Sequence, residues 1–111
     1  MRKRIEAYIP KALEAIETLS ISSKDGRVAK QFNGYISSFG ASIRQAGLLA
    51  TVIFYANANS NAEKEREKVV QAIEKIIGKS IQQNIKDKNL NSEFEDAAVA
   101  LKLAIRTYDL V

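Results

Sequence analysis

Cysteine, histidine and tryptophan are all missing from this chain, and its 111 residues include one proline and five glycines. Without cysteine there is no disulfide, thiolate metal site or thiol nucleophile, and without histidine the commonest general base and metal ligand is gone too. An all-β chain of this length needs a turn every ten residues or so and normally uses more glycine and proline to make them. No apolar run approaches the roughly 20 residues that cross a bilayer. Met1 to Arg4 is basic, but the stretch that follows to Leu19 is broken by charges every three or four residues, unlike the core of a signal peptide. These absences predict a soluble, cytoplasmic, helical protein with no membrane association.

What is present fits one domain spanning residues 1–111, with 46% hydrophobic and 27% charged residues, enough to bury a core and stay in solution. The net charge is +4, and it is unevenly placed. Residues 1–58 hold eight Lys/Arg and four Asp/Glu, whereas residues 59–111 hold nine of each. An excess of cations in one half suggests an anionic partner on that side.

Periodicity predicts an all-α chain, a compact bundle of about five to six helices. Ile5, Ile9, Ala12, Leu13, Ile16 and Leu19 recur at helical spacing within Arg2 to Ser20, where Pro10 either opens the helix near Ile9 or kinks it. Ser22 to Gly26 reads as a turn. A second helix, about Arg27 to Gln45, puts Val28, Phe32, Tyr35, Ile36, Phe39 and Ile43 on one side. Its other side carries Arg27, Lys30, Asn33, Gly34, Ser37, Ser38, Ala41, Arg44 and Gln45. Gly47 permits a break, and Leu48 to Ala56 is apolar nearly all round, the pattern of a central helix enclosed by the others. Ser60 with Glu63, and Ser92 with Glu95, have capping-box spacing before two further helices, the second running essentially to the C-terminus.

Catalytic chemistry finds no footing. No serine lies in a glycine-rich elbow or an S-x-x-K setting, and neither a P-loop nor a dinucleotide fingerprint occurs. The carboxylates Glu63, Glu65 and Glu67, and Glu93, Glu95 and Asp96, sit next to helix starts, where they offset the helix dipole. Nothing calls for a metal or cofactor, and the expectation is a protein that is not an enzyme. A deep enclosed cavity lined by Arg44 and a glutamate would change that view.

The polar face of the second helix has two readings. Either it packs on another helix of the same domain, or it is an outward strip. In the second case Gly34, Ser37, Ser38 and Ala41 admit another backbone closely, and Arg27, Lys30 and Arg44 reach phosphates. Tyr35 and Phe39 fall on the apolar side and read as core before base-stacking residues.

The run Phe32-Asn33-Gly34-Tyr35-Ile36-Ser37-Ser38-Phe39-Gly40-Ala41, continuing through Gln45-Ala46-Gly47-Leu48-Leu49-Ala50-Thr51-Val52-Ile53-Phe54-Tyr55, resembles the small α-helical subunit of the type III-B CRISPR RNA-silencing (Cmr) complex. Ala98 to Arg106 is similar to that family's leucine-rich, arginine-bearing end, although the tryptophan often found there is absent. The resemblance implies a non-catalytic subunit that stacks head to tail beside the other Cmr protein subunits. It also implies contact with guide RNA and target RNA through phosphates, in antiviral defence. On this chain the implied RNA-binding residues are Lys24, Arg27, Lys30, Arg44, Lys102 and Arg106, and the polar face of the second helix independently offers Asn33, Gly34, Ser37, Ser38, Ala41 and Gln45 as partner-binding residues. A purely protein-binding helical adaptor without RNA contact is the alternative.

Overall fold

The computed structural model describes residues 2–56, 63–80, 86 and 89–111. Five helices dominate these residues: α1 (Arg2–Thr18), α2 (Gln31–Ala46), α3 (Leu48–Ala56), α4 (Glu63–Ile77) and α5 (Leu90–Ile105). Two short strands, β1 (Arg27–Val28) and β2 (Asp109–Leu110), pair in parallel with Arg27 opposite Asp109 and Val28 opposite Leu110. The all-α reading is correct in substance, because this ladder is two residues long.

Apolar residues at 3.6-residue spacing on four of the helices meet in one core. Ala12, Ala15 and Ile16 of α1, Phe32, Ile36, Phe39 and Ile43 of α2, Val69, Ile73 and Ile76 of α4, and Phe94, Leu101 and Ile105 of α5 are all buried. α5 lies at the centre, packed on α1, α2 and α4, while α3 packs on α2 and α4. Phe39 is fully buried between two rings, 5.1 Å from Tyr55 edge-on and 6.3 Å from Phe94 in a stacked arrangement. It ties the α3 side of α2 to the α5 side.

Several expected boundaries shift for identifiable reasons. α1 runs unbroken through Pro10, whose ring lies on the exposed face, so one missing backbone donor is tolerated without ending the helix. The second helix begins at Gln31 rather than Arg27, because Gly26 at φ +80° turns the chain and residues 27–28 join the ladder instead. Ser23, also hydrogen-bonded to Asp25, accepts the Arg27 backbone N–H at 3.1 Å, so this turn feeds a strand and caps no helix. α5 starts at Leu90 and stops at Ile105. Ser92 therefore lies in its first turn, where its hydroxyl donates to the Asn89 carbonyl at 3.1 Å and no side chain caps the helix. Ser60 of the other capping pair lies outside the described residues.

The largest correction concerns α3. Leu48, Thr51, Val52 and Tyr55 are buried, but Leu49, Ile53 and Phe54 are 49%, 62% and 58% exposed. Among the described residues the helix has neighbours on two sides and none over its third, so it is a peripheral element and not the enclosed centre its composition suggests.

Candidate nucleic-acid and protein interface

The parallel ladder fixes how α2 and α5 lie against each other. β1 leads into α2 and β2 follows α5, so the start of α2 and the end of α5 meet at one corner and the two helices run antiparallel. Hydrogen bonds from the Asp109 N–H to the Gly26 carbonyl at 3.1 Å and from the Val111 N–H to the Val28 carbonyl at 2.9 Å close that corner.

The outward side of α2 stays outward. Gly34, Ser37, Ser38, Arg44 and Gln45 are exposed, and Asn33 and Ala41 are half-buried. Advancing about 100° per residue divides them into two lines. Asn33, Ser37, Gly40 and Arg44 lean towards α5. Gly34, Ser38, Ala41 and Gln45 run down the ridge and lean towards α3.

On the α5 side the two helices and the start of α1 enclose a groove of about 410 Å³, lined by Ser37, Gly40 and Arg44 of α2, Glu95, Val99 and Lys102 of α5, and Ile5 of α1, among others. Its floor is pinned by an ion pair. Asp96, 6% exposed, accepts from Arg4 at 2.7 Å, and Arg4 also donates to the Ser92 hydroxyl at 3.1 Å. The hydrogen bond to Asp96 raises the Arg4 pKa above its ordinary value. Arg44 and a glutamate do share this groove, but it is a surface groove and no sealed cavity. Among the described residues no group of three or more metal-ligating side chains is placed to hold a metal.

The six cations named in the sequence divide between this groove and the corner. Arg44 and Lys102 line the groove together. Arg106, one turn beyond Lys102, caps the end of α5, and Lys30 precedes α2 at the same corner. Lys30 and Arg44 are about 21 Å apart along the axis of α2 at 1.5 Å per residue. Lys24 lines a recess at the corner with Glu17, Ser23 and Tyr108. Arg27 stands apart from the others because Asp25 lies 3.4 Å from it, although both side chains are well exposed. Among the described residues, Lys24, Lys30, Arg44, Lys102 and Arg106 make no ion pair.

On the α3 side, Gly34 and Ser38 border a second recess with Gln31, Tyr35, Phe54, Tyr55 and Arg66. Here the arginine is already engaged. The Arg66 guanidinium lies 5.2 Å from the centre of the Phe54 ring, 5.4 Å from Tyr35 and 6.0 Å from Tyr55. Tyr55 donates its hydroxyl to the Tyr35 carbonyl at 2.8 Å, and burial pushes its pKa above the ordinary value. Tyr35 is half-buried and Phe39 fully buried, in line with their reading as core.

Sequence reasoning missed Glu95 and Val99 in the groove, the Arg66 ring cluster and the exposed face of α3. Glu95 was recoverable, since it lies seven residues before Lys102 and so on the same face of one helix. No described helix is long and apolar enough to cross a membrane. Residues 5–106 match the family model for CRISPR-associated protein (Cas_Cmr5), nearly the whole chain. No curated protein and no solved structure matches.

Proposed function

The chain belongs to the CRISPR-associated Cmr5 family, a subunit of the type III-B Cmr complex, and from that premise we propose that it is a non-catalytic assembly subunit holding RNA by its phosphates in antiviral defence. The observation that carries this reading is the set of cations along the α2–α5 groove and its corner that make no ion pair among the described residues. Arg44 and Lys102 share one groove, and Arg106 and Lys30 continue from it. Cations with no partner among the described residues are available for an external anion, and neutralising each phosphate releases counterions, so binding weakens with salt.

The same geometry supports head-to-tail stacking. Leu49 and Ile53 form one exposed apolar line on α3, and Val99 and Leu103, 45% and 43% exposed, form another on α5. Two unlike faces suit a heterologous contact, which can extend a row, whereas a closed two-fold contact cannot. A side chain added at Gly34 meets nothing within 4 Å, so the open ridge of α2 leaves room for a neighbour's backbone.

The test is retention of RNA by the reconstituted Cmr complex across a salt series, with Lys30→Glu and Arg44→Glu introduced together in this subunit. The expected result is assembly as before, with weaker and less salt-sensitive retention. Unchanged retention rejects the phosphate role. It would favour the second reading, a purely protein-binding adaptor, which the exposed α3 face supports.

A further inference from the structure

Three acidic side chains lie in the first two turns of α5, and they are treated differently. Glu93 is paired with Lys79 at 3.0 Å, and Asp96 with Arg4 at 2.7 Å. Glu95 lies between them, half-buried, and has no hydrogen bond or ion pair with any described residue. It therefore presents the groove with an acceptor that no described side chain engages. The helix dipole offers little, because its influence fades within the first turn and Glu95 is the sixth residue of α5. The side chain faces the groove that Arg44 and Lys102 also line, and neither cation is within ion-pair distance of it.

A groove with free cations and a free acceptor asks for a ligand that brings both an anion and a hydroxyl donor. Phosphate alone does not serve, since at neutral pH a phosphodiester has no proton to donate and a carboxylate repels it. An RNA strand has both parts: successive phosphodiesters for Arg44 and Lys102, and a ribose 2′-hydroxyl for Glu95. DNA lacks that hydroxyl, which is the group by which proteins tell the two polymers apart. The groove's volume of about 410 Å³ accommodates a ligand of this size.

Resting on the reading that this groove carries RNA, we infer that Glu95 is a specificity-determining residue that accepts a hydrogen bond from a ribose 2′-hydroxyl and makes the groove selective for RNA over DNA. Arg44 and Lys102 supply affinity for either polymer. Glu95 repels both backbones and recovers that loss only with RNA.

The test titrates the full isotope-labelled chain at low salt with one single-stranded sequence in three forms, RNA, DNA and 2′-O-methyl RNA, and follows the backbone amide signals. RNA is expected to shift the signals of Ser37, Gly40, Arg44, Val99 and Lys102 and to bind at least threefold more tightly than DNA. The 2′-O-methyl form, which keeps the sugar shape but has no hydroxyl proton, should behave like DNA. Glu95→Ala should bring the RNA-to-DNA ratio close to one, with DNA binding unchanged or stronger, whereas Glu95→Gln, which keeps an acceptor, should retain part of the preference. Groove shifts of equal size with all three polymers, or a ratio that Glu95→Ala leaves unchanged, would overturn the role of Glu95 while leaving the phosphate contact standing. No groove shifts with any polymer would overturn the underlying reading as well. A Glu95→Ala chain that discriminates normally but fails to join its complex would assign the carboxylate to a neighbouring subunit's cation and reject the inference.

Discussion

The two flanks of α2 make opposite use of arginine. Towards α3 and α4, Arg66 lies over three aromatic rings and helps hold α4 against α2 and α3. Towards α5, Arg44 and Lys102 have no partner among the described residues, although the same helix positions both flanks. A cation satisfied by its own chain has little left to offer a ligand, and one left unsatisfied at an open groove remains available. Count of positive charge, which is all that composition supplies, does not separate these cases.

The comparison fails most completely where both flanks depend on one side chain. Phe39→Ala removes the fully buried ring that touches Tyr55 on one side and Phe94 on the other. It should cost about 3–5 kcal/mol in urea unfolding and weaken every binding activity together. Next in size, Arg44→Glu with Lys102→Glu should lower RNA affinity at least tenfold at low salt and flatten the salt dependence. Because both side chains are on the surface groove, stability should stay within about 0.5 kcal/mol. Arg66→Ala should show the converse, losing about 1 kcal/mol of stability with RNA affinity unchanged.

Tyr55→Phe sharpens the α3 side further. Loss of its hydrogen bond to the Tyr35 carbonyl should cost about 1 kcal/mol at neutral pH. The phenol pKa is raised above its ordinary 10.0 by burial in the folded chain, so its contribution is complete below pH 10 and is lost as pH rises through the folded value. Tyr8 is raised for the same first reason, with Glu93 adding to it. Alkaline denaturation should therefore be less steep in the Tyr55→Phe chain, leaving the share of Tyr8. The smallest change has the opposite sign. Gly34→Ala on the open ridge should stabilise α2 by about 0.5–1 kcal/mol in the isolated chain, and any loss of assembly that accompanies it would reveal a close neighbour.

Helical periodicity revealed most of this architecture, because one-sided burial leaves a mark at every third or fourth residue. It placed the buried face of α2 correctly and kept Ser37, Ser38 and Arg44 outside. The ladder between residues 27–28 and 109–110 was illegible, since two residues are too few for a pattern and the partners are some 80 positions apart. α3 misled because an all-apolar helix does not say whether its cover comes from its own chain, and here Ile53 and Phe54 stay more than half exposed. Within the groove, Arg44 and Lys102 were each identifiable as cations, but only the packing of α2 on α5 sets them along one groove.

The division between the two flanks is tested most directly by mapping RNA–protein cross-links in the assembled Cmr ribonucleoprotein by mass spectrometry. Cross-links on this subunit should concentrate on the α2–α5 groove and its corner, around Arg44, Lys102, Arg106 and Lys30, and spare Tyr35, Phe54 and Arg66. Cross-links confined to the aromatic recess, with the groove silent, would contradict the account.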